Sequence, residues 1–129
     1  MLKKKLKTQP PIFNVFFEIL INVKSMHFIT KSLSVHKATD ELYDSINELY
    51  DKFLENYMGK YGRIYFKDTQ SIEYKLMNDN EFKLYLANVL SHLDTELKKY
   101  ISNNDSDLIT IIDEMKIAIN KTLYLLELI

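Results

Sequence analysis

MHFITKSLSVHKATDELYDSINELYDKFLENYMGKYGR, residues 26–63, decides the fold. Leu42, Ile46, Leu49, Phe53 and Tyr57 recur in it at intervals of three and four, the spacing that lays side chains along one face of an α-helix. Ser34 suits the N-cap, Asp40 and Glu41 lie toward the positive end of the helix dipole, and Gly59 suits the stop, with Gly62 following in the loop. The stretch therefore predicts a helix from Val35 to about Met58. Asp40, Asp44, Glu48, Asp51 and Glu55 share the opposite face of that helix. The break at Ser32 to Ser34 sets His27 near the end of one helix and His36 at the start of the next.

Upstream, Pro10 and Pro11 suit a first helical turn, and a helix is expected from Pro11 to about Lys31. Its apolar arc runs through Ile12, Val15, Phe16, Ile19, Leu20, Val23, Met26 and His27, and Phe13, Phe17, Ile21 and Phe28 widen it. Only a strip through Glu18, Asn22 and Ser25 is polar. A surface helix needs an apolar stripe of only ~100°. This one is expected to bury two faces, one in its own bundle and one against another subunit.

Downstream, residues 60–77 show no single period and suit a long crossover, with a short helix expected over 71–77. Asn78 or Asn80 can cap a third helix reaching about Ile101, with Phe82, Leu86, Val89, Leu90, Leu93 and Leu97 inward. Asn103 and Asn104 turn the chain into a fourth helix that starts between 105 and 107, with Leu108, Ile112, Met115, Ile119, Thr122, Leu126 and Ile129 inward. The expected fold class is all-α, a four-helix bundle with a long crossover between the second and third helices, the arrangement that the resemblance given below makes ferritin-like. Residues 10–129 form the single domain, and residues 1–9 a basic flexible tail.

Composition agrees with few loops and one core: the chain has 129 residues, two glycines and two prolines. The net charge of -1 argues against binding polyanions by bulk charge. Lys3, Lys4, Lys5 and Lys7 concentrate positive charge in the tail, which suits a solubilising terminus, or a weak DNA contact if an oligomer multiplies it. With no cysteine there is no disulfide, thiolate zinc site or cysteine nucleophile, so a metal site must use His, Asp or Glu. The apolar run from Ile12 to Val23 is broken by Asn14, Glu18 and Asn22, which argues against a membrane span, and no small-residue cleavage site follows it. A soluble cytoplasmic protein is expected, which the resemblance given below would place in a bacterium or an infected host cell.

The acidic face of the second helix has a plain reading, a solvated surface opposite a core. Asp and Glu oxygens with imidazole nitrogen also form the donor set that suits Fe(II), Mn(II) and Zn(II), and carboxylates one turn apart can hold one ion. No Glu-x-x-His pair occurs, which argues against a centre inside one bundle. Asp51 and Glu55 point outward, so a second chain would have to complete their site, bringing its His27 to them. His92, Asp94 and Glu96 sit at spacings of two and are expected to be a surface cluster.

The order His27, His36, Asp51, Glu55, with HKATDELYDSINELYDKFLEN from residue 36, resembles the ferroxidase segment of the Dps family, the miniature ferritins named as DNA-binding proteins from starved cells. Residues 26–63 are more similar still to short phage-encoded, Dps-like proteins of unassigned function. The resemblance implies a homo-oligomer, dimer or larger, in which His27 of one subunit and Asp51 and Glu55 of its twofold partner bind iron, with His36 as a second histidine near by. It also implies oxidation of Fe(II) by peroxide or O₂ and protection from oxidative stress. The histidines stand nine residues apart, closer than is usual in Dps proteins, and Phe28 takes the place of a usual tryptophan. The other expectation is a non-catalytic, ferritin-like structural or interaction protein of a phage, with virion association.

Overall fold

A computed structural model of the chain describes residues 7–8, 13–65, 69–72 and 74–128. Its elements are β1 (Lys7–Thr8), α1 (Asn14–Ile29), α2 (Leu33–Tyr61), β2 (Ile64–Tyr65), α3 (Asp79–Asp94), a 3-10 turn (Leu97–Tyr100) and α4 (Ser106–Leu126). The fold is all-α apart from the two-residue strands, which pair in parallel, Lys7 with Ile64 and Thr8 with Tyr65. The backbone of these two tail residues is thus tied to the crossover. Lys3, Lys4 and Lys5 lie outside the described residues, as do Pro10, Pro11, Ile12 and Ile129.

Helix α1 leaves helical geometry at Thr30, and α2 begins earlier than expected because Ser32, not Ser34, is the N-cap. The Ser32 hydroxyl accepts from the Val35 N–H at 3.4 Å, and Ser32 N–H donates to Thr30 Oγ1 at 3.1 Å. Only residues 30–32 join the two helices. At the far end α2 runs through Gly59 and stops at Gly62, whose φ of 98° is unfavourable for residues with a Cβ. Gly59 lies within the helix because a lone glycine costs a helix only ~1 kcal/mol. The helix expected over 71–77 is absent among the described residues of that stretch, which are irregular. Asn78 caps α3 in a capping box with Glu81, and α3 ends at Asp94, short of Ile101, with the 3-10 turn carrying the chain onward.

Helix α2 packs against α1 on one side and α4 on the other, and α3 packs against α4. Phe13, Phe16 and Ile19 meet Leu42, Ile46 and Phe53, and Phe82, Leu86 and Leu93 meet Leu108, Ile112, Met115 and Ile119 in one continuous core. Two residues of the polar strip of α1, Asn22 and Ser25, do not face solvent. Asn22 is buried, its Oδ1 accepting from Lys75 N–H at 3.1 Å and its Nδ2 donating to Tyr85 Oη at 3.2 Å. Ser25, also buried, bonds Tyr74 Oη at 3.0 Å. The crossover and α3 cover the polar side of α1, while Phe28 and, at the start of α2, Leu33 stand 71% and 67% exposed.

Candidate metal centre

The three-residue joint between α1 and α2 folds the two histidines onto each other. His27 Nδ1–H donates to the His36 carbonyl and His36 Nδ1–H to the His27 carbonyl, both at 2.7 Å. The rings stack with centroids 3.7 Å apart at 19°. A carbonyl only accepts, so each Nδ1 carries a proton, and Nε2 is the ring nitrogen whose lone pair the neutral imidazole offers to a metal. Buried Thr39 reinforces this: its hydroxyl donates to the Val35 carbonyl at 2.8 Å and lies 3.3 Å from His27 Nδ1. Metal-binding histidines are commonly held this way, one ring nitrogen on a carbonyl and the other toward the ion. His27 is buried in the joint and His36 exposed.

Asp51 and Glu55 both lie on the exposed face of α2, as do Asp40, Asp44 and Glu48. Glu55 holds its proton above the ordinary carboxyl range, chiefly through a hydrogen bond with Asp51 and then through the charge of Asp51. The two carboxyl groups therefore touch, and a bound cation would relieve the same repulsion that the proton relieves. Fifteen residues separate His36 from Asp51, roughly 22 Å along a helix. One chain does not unite the two halves, and the described residues contain no group of three His, Asp or Glu placed to hold a metal ion. The donors fit a transition metal only as two half-sites.

The cluster at His92 dissolves into surface ion pairs. Asp94 accepts from Lys116 at 2.6 Å, which holds its carboxyl below the ordinary range, and Glu96 pairs with Lys99 at 3.0 Å. A second polar centre had no signal in the sequence. Asp105, 6% exposed, accepts from Lys60 Nζ at 2.8 Å, from Ser102 N–H at 2.8 Å and from the Tyr61 hydroxyl. Burial pushes the Asp105 carboxyl up, but these donors outweigh it and the net direction is down. Lys60 also reaches Asp107 at 2.6 Å and Asn56 donates to it at 2.9 Å, holding Asp107 at about 2. Lys60 and Tyr61 lie more than forty positions upstream of Asp105, so only the fold reveals the cluster.

Comparison with known proteins adds a family. Residues 27–126 match the model described as Family of unknown function (DUF5856). The chain belongs to this family. The match opens at His27 and takes in His36, Asp51 and Glu55. An uncharacterized 14.6 kDa protein of Enterobacteria phage T4 is 49% identical over 41 residues, which span 32% of this chain and 32% of that protein. The match thus spans about a third of its curated relative. No solved structure matches. The relation to a phage protein is thereby shown, while nothing in these matches ties this family member to Dps proteins. Among the described residues no helix is long and apolar enough to cross a membrane.

Proposed function

We propose that the protein is a Dps-like ferroxidase with a ferritin-like bundle, in which Fe(II) binds as substrate between two copies of the chain. The observation that carries this is the histidine pair: both Nδ1–H groups are held by carbonyls, which aims the chemistry at two Nε2 lone pairs. His27 of one copy, with His36 beside it, would share the ion with Asp51 and Glu55 of the other. Nitrogen and carboxylate oxygen together suit iron, and also manganese and zinc. The electrons of Fe(II) pass to peroxide or O₂ and the ferric product is held away from further reaction, which protects against oxidative stress. Mixing Fe(II) with the protein and peroxide, and following ferric absorbance, tests it. Rapid oxidation is expected in the wild type, with loss to the protein-free rate in Asp51→Ala. Equal, negligible turnover in both ends the proposal.

One observation favours a second reading. The paired bonds between His27 and His36 also close the α1–α2 joint, so the histidines suit a structural clasp in a phage bundle that binds another protein. On that reading Fe(II), Mn(II) and Zn(II) leave the melting temperature unchanged, and His27→Ala lowers it with or without metal.

A further inference from the structure

We infer that Tyr61 is a redox-active tyrosine, the place where a one-electron oxidation of the protein comes to rest, with Asp105 taking its proton. Removing an electron from a phenol makes its proton strongly acidic, so a tyrosine is oxidised most readily where a base already holds that proton. The Tyr61 hydroxyl donates to Asp105 Oδ2. Lys60 on Oδ1 and Ser102 N–H on Oδ2 keep this carboxyl ionised and fixed, and its burial keeps water from competing.

Rings lead to this pair by two routes that meet at Tyr57. Tyr57 lies 5.0 Å from Tyr61 between centroids, and Phe13 lies 5.1 Å from Tyr57 and 6.1 Å from Tyr100, which is partly exposed. On the second route Tyr50 stacks on Phe16 at 4.4 Å, and Phe16 and Tyr57 each lie 6.2 Å from Phe53. The Tyr50 hydroxyl meets the Phe13 carbonyl at 3.4 Å, which is no base at neutral pH. Burial holds the protons of Tyr50 and Tyr57 more firmly than usual. The Tyr61 proton is also held more firmly than usual, first by its hydrogen bond to Asp105, but that bond gives the proton a carboxylate to move to when the ring is oxidised, so a hole settles there.

Azidyl radical is a suitable one-electron oxidant. It takes one electron from Tyr61 and leaves as azide, while the hydroxyl proton goes to the Asp105 carboxylate. The products are a neutral tyrosyl radical, a neutral carboxylic acid and azide, so charge and atoms balance. No metal enters this step, and it stands or falls apart from the iron proposal.

Pulse radiolysis of the full chain in azide solution, followed by tyrosyl absorbance and freeze-quench spin resonance, tests it. The wild type should collect a long-lived tyrosyl signal. Tyr61→Phe keeps the ring, removes the hydroxyl, and should lose that signal. Asp105→Asn should form it more slowly and with a solvent deuterium isotope effect, because water must then take the proton. An undiminished long-lived signal in Tyr61→Phe overturns the assignment of the site. Unchanged formation kinetics in Asp105→Asn, with circular dichroism showing an intact fold, overturn the proton route.

Discussion

Glu55 is the residue whose ionisation says most about the candidate centre. Its carboxyl is raised because Asp51 bonds it and repels its charged form. A carboxyl raised by folding contributes stability that is full below its unfolded value, 4.5, and is lost as pH rises through the folded value. Where Glu55 carries its charge beside Asp51, the repulsion weakens the fold. Glu55→Gln should therefore raise the melting temperature at about pH 7, and the gain should shrink as the pH is lowered toward the ordinary carboxyl range. Thermal scans of both proteins across that range check it. Periodicity placed Asp51 and Glu55 outward, because a rotation of ~100° per residue fixes which face a side chain takes. It marked Asn22 and Ser25 as a polar strip without showing that they are buried. A helical wheel says which residues share a side, not what packs there, and the crossover covers that side with Tyr74 and Lys75. Nor does a wheel show that the rings of His27 and His36 would stack, since this depends on a joint of only three residues.

Helix α2 shows where element boundaries were legible and where they were not. Its core face, Leu42, Ile46, Phe53 and Tyr57, is buried as its spacing indicates, and Leu49 packs against the core edge. Its end was not legible, because Gly59 and Gly62 are equally able to stop a helix and only packing chooses between them. Tyr61 continues the helix past Gly59, stacking toward Tyr57 and bonding Asp105. The two glycines should therefore respond to the same substitution with opposite signs. A Cβ at Gly59 would meet nothing within 4 Å, so Gly59→Ala should stabilise the protein by about 0.5–1 kcal/mol. Gly62→Ala should destabilise it by about 1–3 kcal/mol, because the φ of 98° is strained for any residue with a Cβ. Denaturant midpoints for the two variants decide it, and midpoints moving the same way would contradict the boundary. The end of α3 at Thr95 had no comparable marker. Its apolar spacing continues to Leu97, which is buried from the 3-10 turn instead.

At the scale of the whole molecule, Lys60 ties the end of α2 to the start of α4 through Asp105 and Asp107. Both carboxyls are lowered in the fold, so their contribution is present above the ordinary value of 3.8 and is lost as pH falls through the folded values, about 2 for Asp107. Lys60→Met should flatten the decline of stability across that window while circular dichroism at neutral pH shows the same helix content.

The exposed Phe28 and Leu33 and the partly exposed Ile21 bear on assembly, because α1 buries Asn22 and Ser25 while it and the start of α2 leave these apolar side chains outside. On the proposed reading a second copy covers these side chains, and an isologous twofold contact through α1 and α2 would set His27 of each copy against the other's carboxylates. This arrangement makes a quantitative prediction that a site within one chain does not. His27→Ala and Asp51→Ala subunits should each be inactive alone in Fe(II) oxidation. After mixing and equilibration, half of the dimers would be hybrids and half of the sites in each hybrid would be intact, so about a quarter of wild-type turnover should return. Phe28→Ser combined with Leu33→Ser should abolish the dimer in sedimentation experiments and, with every ligand still present, abolish turnover as well. Recovery from the mixture would show that the site is shared between chains, and no recovery from subunits that demonstrably exchange would confine any activity to a single chain.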